Sequence, residues 1–597
     1  KAAGLPDGDT VPVHTEPCPE GSYCSLDYPK WSPDGSMIAF TSNRKDNRNQ
    51  IYVIRLAGGE AEQLTDGTAA VNAFEWSPDG ATIAFTMTDP KSKDEEANDK
   101  GRNDFRWVDE HVKLARLYTT PVDKGTDGTR VVTQVTSIDR HVTSFDWAPS
   151  GRRIAFAHVQ SPVADFWPTS DVSIVDLDTK VVTPLAASEA AEDTPFFSPD
   201  GAWVAMTVSD LPARWAQSSR IHVRPSSGGG APVVMPRSPD GQPNIGGWIP
   251  GSTRVYFSEA KGTGTASYEA DVTTGTIRET QAADDAVISG LHVDTAGTSF
   301  AFVRQQSHRP PEVYVGRAGA TPVQVSTANA EHAALPIGRT EVVTWTSTDG
   351  RKIEGLLHYP VGYQAGRQVP LILNVHGGPA GVFQHTFVGG RGSYPLASFM
   401  ARGYAVLRPN PRGSSGYGVE FRQANIKDWG GKDYDDLMAG VDRVIAMGVA
   451  DPARLGVMGW SYGGYMTSTI ITRTNRFKAA SSGAPVTNLM SFNGTADIPS
   501  FVPDYFGAEF WNDPAVYARH SPMFNISHAR TPTLVQHGEN DIRVPIAQGY
   551  ELYTALKRQG VPTRMLVLPR QPHGILEPKL QVVTMQSNLD WFDTYLK

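Results

Sequence analysis

The sequence predicts two domains: an all-β propeller over residues 1–335 and an α/β-hydrolase domain over residues 336–597. Three observations predict them. A short phrase of an aromatic residue, a Pro-containing turn and a Gly recurs through the first half, each time ahead of an apolar strand. Near Glu341 the rhythm changes to strands alternating with amphipathic helices. In the second half a Gly-x-Ser-x-Gly segment separates a strand from a helix. A chain of 597 residues also exceeds what a single core usually organises.

The phrase reads Trp31-Ser-Pro-Asp-Gly35, Trp76-Ser-Pro-Asp-Gly80 and Trp147-Ala-Pro-Ser-Gly151, each followed by a strand ending Ile-Ala-Phe. Weaker copies stand at Phe197-Ser-Pro-Asp-Gly201, Trp248-Ile-Pro-Gly251 and Val293-Asp-Thr-Ala-Gly297. Pro presets the turn and Gly takes the positive φ that reverses the chain. Second strands such as Gln50-Ile-Tyr-Val-Ile54 and Asp171-Val-Ser-Ile-Val175 follow. Short strands in sets of about four at this period are the blades of a β-propeller, of which five to six are visible. Independent small β-domains are excluded, because a unit of about 45 residues cannot hold a core alone. Lys91 to Arg116, polar and without a strand pattern, is expected to protrude from a blade.

In the second half the expected strands are Leu371–Val375, Ala405–Leu407, Leu455–Met458, Thr533–Gln536 and Met565–Leu568, with a helix over Tyr434–Met447. The linker falls within Ser326 to Thr340, which places the boundary at about residue 335.

Leu455–Met458 runs directly into Gly459-Trp-Ser461-Tyr-Gly-Gly464 and then a helix, the strand, sharp turn and helix of a nucleophile elbow. A serine hydroxyl becomes a nucleophile only when a base takes its proton, and that base needs an acid to hold its tautomer. In this fold the order along the chain is Ser, acid, His. Asp541 follows the strand ending at Gln536 and His573 follows the strand ending near Leu568, so both fall at the same edge of the sheet as Ser461. Ser461, Asp541 and His573 are the expected triad. Glu539 competes for the acid role; His537 precedes the acid and does not fit the order; Asp433, Asp435 and Asp436 read as the surface of a helix. Two donors must meet the developing oxyanion. The expected ones are the amide of Tyr462, next after the nucleophile, and that of Gly378 in the glycine-rich His376-Gly-Gly-Pro379 loop.

A net charge of -9 is mild for this length and disfavours nucleic acid as a partner. No apolar run reaches the roughly 18 residues that cross a bilayer, so membrane insertion is not expected. A homo-oligomer is compatible with the composition. The two cysteines, Cys18 and Cys24, flank Pro-Glu-Gly-Ser-Tyr and are expected to form a local disulfide. With Lys1 rather than Met at the first position, this points to a secreted or periplasmic enzyme, with a cytoplasmic one as the alternative. Two cysteines alone do not make a zinc site, and the chemistry requires neither metal nor cofactor.

A propeller followed by this hydrolase domain resembles the prolyl oligopeptidase family of serine peptidases. The marks are Gly459-Trp-Ser-Tyr-Gly-Gly-Tyr465, His376-Gly-Gly-Pro379, Asn410-Pro-Arg-Gly-Ser-Ser-Gly-Tyr-Gly418, Asp428-Trp-Gly-Gly-Lys-Asp433 and His537 to Pro545. Together they look most like the branch of the acylaminoacyl peptidases and dipeptidyl peptidase V. The resemblance implies about seven blades, leaving room for one before the numbering, and a propeller that admits only short peptides to the site. It implies that Arg543 orients the carbonyl of the substrate's second residue. It also implies that Tyr462, Val486, Leu489 and Phe492 form the pocket for the residue before the cut. Asp109 and Glu110, in Phe105-Arg-Trp-Val-Asp-Glu110, faintly match an anchor for a substrate ammonium. The expected activity is hydrolysis of short peptides through an acyl-enzyme, as an exopeptidase of dipeptidyl peptidase or acylaminoacyl peptidase type. An endo-oligopeptidase and an esterase or amidase are the alternatives, and a binding protein with an inert hydrolase domain is a more distant one.

Overall fold

The computed structural model describes residues 26–597 apart from 46 and 318, so the cysteine pair Cys18 and Cys24 lies outside the described residues. Among those residues, six four-stranded antiparallel sheets follow one another from Leu26 to Gln324 as propeller blades. Each copy of the repeated phrase forms the turn between the first and second strands of a blade, and all six of its glycines have φ between 67° and 72°. The Ser and Asp of the phrase close this turn. Ser77 Oγ donates to Asp79 Oδ1 (2.5 Å) and accepts the N–H of Thr82 (3.0 Å), and the same pair of bonds recurs at Ser32 and Ser198.

The aromatic of the phrase ties neighbouring blades together. The indole of Trp76 donates to Lys30 O (3.1 Å), that of Trp147 to Glu75 O (3.4 Å) and that of Trp248 to Phe196 O (2.9 Å). Each acceptor immediately precedes the equivalent aromatic of the preceding blade. Phe197 has no ring donor, and there the backbone N–H donates to the Asp146 carboxylate (2.7 Å) instead. The polar insertion after the second blade's second strand has no strand up to Ala115, as expected, but it is not without regular structure. It contains a helix, Lys93–Gly101, started by a Ser92 and Glu95 capping box, with no buried residue. A helix held by caps rather than by an apolar face leaves no periodic signal.

After the last blade strand, Val323–Gln324, a short helix Ala330–Ala333 leads to the first strand of the second domain, Thr340–Thr346. Eight strands form one sheet in the spatial order 340–346, 352–358, 405–410, 369–375, 450–460, 479–483, 533–538 and 563–568. The first two pairings are antiparallel and the remainder parallel. Helices cover both faces, which is why every residue of Val369–Val375 is buried. The order doubles back around 369–375, and in such sheets the crevice at the strands' carboxyl ends receives ligands.

Two of the acids expected on a helix surface are not there. Asp433 and Asp436, on helix Lys432–Ala446, are fully buried. Asp436 accepts from the amide and guanidinium of Arg412, and Asp433 from the Tyr462 hydroxyl. Asp435 alone stays near solvent, beside Lys432. Among the described residues no helix is long and apolar enough to cross a membrane.

Candidate active site

Strand Ala450–Trp460 delivers the chain to Ser461, whose φ of 62° and ψ of −119° turn it straight into helix Tyr462–Arg473. A side-chain-bearing residue adopts such a backbone only where the surroundings impose it. Here they do: the Ser461 amide donates to Gly483 O (3.0 Å) and its carbonyl accepts the N–H of Tyr465 (2.9 Å). The flanking glycines are a matter of space. A Cβ on Gly459 would lie 2.4 Å from Gly463 O, and one on Gly463 would lie 2.2 Å from Val375 O.

Asp541 and His573 leave the carboxyl ends of strands 533–538 and 563–568. His573 Nδ1 donates to Asp541 Oδ2 at 2.8 Å, and Asp541 Oδ1 accepts the N–H groups of Arg543 (3.0 Å) and Val544 (2.9 Å). Burial by itself would raise the Asp541 pKa, but bonds from His537 and His573 and the Val544 amide outweigh it and bring it to about 2. An ionised carboxylate accepts only, so the Nδ1 proton belongs to His573 and Nε2 is left to accept one. His537 is buried behind the acid, 3.5 Å from Asp541 Oδ2, and donates to Val544 O (2.7 Å). Glu539 is turned to the Arg570 amide.

Ser461 and His573 open into one cavity of about 450 Å³. The Gly377–Gly381 loop forms one side of it, with Gly378 at φ 129°. Tyr462 is the first residue of its helix, so its N–H has no acceptor within the helix. Its ring lies beneath, stacked on Tyr465, and its hydroxyl is held by Asp433, whose carboxyl burial pushes up to about 7.

Val486 and Phe492 line the cavity together with Ile498 and an aromatic wall of Trp429, Phe501 and Tyr505. Leu489 does not; it is fully buried in the core behind them. Arg543 lines the cavity and is held by Asp497 through Nε (2.7 Å) and Nη2 (3.2 Å). Asp109 and Glu110 are exposed on the blade insertion and do not reach the cavity. Its far side is instead made by propeller residues the sequence did not single out, Trp215, Gln217 and Gln242. Trp215 is seated by its indole on Ser500 (2.9 Å) and by its amide on Asp504 (2.9 Å), contacts between residues nearly 300 apart that no local pattern announces.

Residues 393–597 match the prolyl oligopeptidase family. Over 297 residues the chain is 38% identical to the uncharacterized peptidase YuxL of Bacillus subtilis, which covers 48% of this chain and 44% of that one. Over 480 residues it is 26% identical to dipeptidyl-peptidase 5 of Porphyromonas gingivalis, covering 76% and 67%. The chain thus spans less than half the length of the first of these relatives. The acylaminoacyl peptidase of Pyrococcus horikoshii superposes with a TM-score of 0.77 at 21% identity, over 96% of this chain and 89% of that one, and so shares the fold.

Proposed function

We propose that this chain, whose residues 393–597 match the prolyl oligopeptidase family, is a serine peptidase cleaving short peptides through an acyl-enzyme. In this reading Ser461 attacks the scissile carbonyl while His573 Nε2 takes its proton, and Asp541 holds the ring and balances the imidazolium. The amides of Tyr462 and Gly378 receive the oxyanion. The imidazolium then protonates the leaving amine, and water, activated by the same ring, frees the acid. The residue before the cut enters the apolar space bounded by Val486, Phe492 and the Trp429, Phe501 and Tyr505 wall. Arg543 takes the carbonyl one residue further on.

One observation carries the restriction to short peptides: the cavity holding Ser461 and His573 is lined from the propeller by Trp215, Gln217 and Gln242, so a substrate must fit between the two domains. An exopeptidase of dipeptidyl peptidase or acylaminoacyl peptidase type fits both this chamber and the names of the relatives. The test compares a free dipeptide amide, an N-acetyl amino-acid amide and a blocked tripeptide amide, with Ser461→Ala as control. Cleavage of one or more by the wild type alone supports the reading. An enzyme that hydrolyses only esters contradicts it and leaves an esterase.

A further inference from the structure

Gly378 lies on a loop, 376–381, without regular structure, so its place depends on what stands behind it. Behind it is the loop 411–418. His376 Nε2 is 2.8 Å from Ser414 Oγ; Ser415 donates its hydroxyl to Ala380 O (2.7 Å) and its amide to Gly381 O (3.1 Å). That supporting loop is gripped in turn by the propeller. Asp240 Oδ1 accepts the N–H groups of Gly416 (2.8 Å) and Gly418 (2.9 Å), and its Oδ2 pairs with Arg422 (3.0 Å). The Gly262 amide donates to Gly416 O (2.8 Å), and Gln242 Oε1 lies 3.2 Å from the Ser415 hydroxyl. Behind Asp240 the buried Glu259 accepts the amides of Asp240 (3.0 Å) and Gln242 (2.9 Å). Asp240 is 2% and Arg422 0% exposed. Away from water such bonds are stiff, and leaving any member unpaired is costly.

We infer that Asp240, a residue of the propeller, is a positioning residue for the oxyanion hole of the other domain. By fixing Gly416 and Gly418 it fixes Ser414 and Ser415, and through them the loop that presents the Gly378 amide. The inference rests on the hydrolytic reading above. It gives the propeller a part in the chemical step as well as in access. Arg543 and the aromatic wall lie on elements that Asp240 does not touch, so the binding they provide is spared.

The test uses Asp240→Asn, which keeps the shape but turns an amide N–H toward Arg422, and Ser415→Ala, which cuts the same relay on the hydrolase side. The readouts are kcat and KM on a cleaved substrate, and the affinities of a peptide aldehyde and the alcohol of the same sequence. The aldehyde forms a hemiacetal oxyanion on Ser461; the alcohol does not. Both variants are expected to lose about tenfold or more in kcat with KM within about twofold, and to lose aldehyde affinity in proportion while keeping the alcohol's. Gln305→Ala, which removes an interdomain bond to the Phe387 amide (3.0 Å) outside this relay, is expected to change neither affinity. Wild-type aldehyde affinity in Ser415→Ala and Asp240→Asn overturns the inference, as does an equal loss for both inhibitors. If Asp240→Asn fails to fold, Ser415→Ala decides. A wild type that binds the aldehyde but cleaves no peptide overturns the peptidase reading alone, because the inhibitor comparison still reports the oxyanion hole.

Discussion

Asp541 divides its carboxylate between two tasks, one oxygen receiving His573 Nδ1 at 2.8 Å and the other the amides of Arg543 and Val544. The second task keeps the acid rigid, and the first keeps the imidazole in the tautomer whose Nε2 is free to accept a proton. With its pKa depressed from 3.8 to about 2, the carboxylate stays charged throughout mild acid. The stability it contributes is complete above about pH 3.8 and is lost only as pH falls through about 2. Activity should therefore fall in acid as the base takes a proton, with Asp541 itself still charged at pH 4. A kcat/KM profile flat down to pH 4 contradicts this assignment. Asp541→Asn leaves the geometry but favours the wrong tautomer and should cost about 10⁴-fold in kcat.

Ser461, the proposed nucleophile, also carries backbone strain. Its φ of 62° disfavours any residue with a Cβ, and Ala keeps that Cβ whereas Gly does not. Ser461→Ala should lower kcat by on the order of 10⁴-fold or more without moving the melting temperature. Ser461→Gly should be as inactive but more stable, by up to about 1 kcal/mol, through release of the strained backbone. Calorimetry of the two inactive variants side by side checks this. Equal melting temperatures would mean that the elbow stores no strain.

Why the proposed triad could be read from the sequence and its surroundings could not follows from range. Ser461, Asp541 and His573 each follow closely on a strand, and the blade turns are announced by four or five consecutive residues. Asp433 and Asp436 were misread because charge usually marks a solvent face. They occupy the same helical stripe as Leu437, Val441 and Val444, and what allows their burial is Tyr462 and Arg412, tens of residues away. Leu489 has the composition of a pocket residue, but a turn of helix separates it from Phe492, and only the latter reaches the cavity. Trp215, Gln217 and Gln242 face the site because two domains meet there, which no single segment encodes.

Arg543 should act on binding of the chain rather than on bond breaking. Asp497 holds its guanidinium on one side, leaving the remaining donors to the cavity. Arg543→Ala should raise KM for peptide amides about tenfold or more, the loss expected for a charge-assisted hydrogen bond. Hydrolysis of p-nitrophenyl acetate, which has no second residue, should stay within about twofold. Asp497→Asn should shift the peptide KM in the same direction but by less. An equal loss on ester and peptide would place Arg543 in support of the Asp541 loop instead.

The indole latches make a prediction at a distance from the chemistry. Trp248 donates to Phe196 O across the boundary between blades, whereas the preceding blade carries Phe197 and makes its bond from the backbone. Trp248→Phe keeps an aromatic body but leaves the Phe196 carbonyl without its indole donor. The change should cost about 1–2 kcal/mol, the loss of one partly buried hydrogen bond and some packing volume. Unfolding in urea followed by propeller fluorescence should show it as a lower midpoint at an unchanged slope, with kcat and KM on the best peptide unaltered. A matching change in kcat would instead mean that this blade boundary communicates with Asp240, which lies eight positions earlier in the chain on the loop that grips the hydrolase domain.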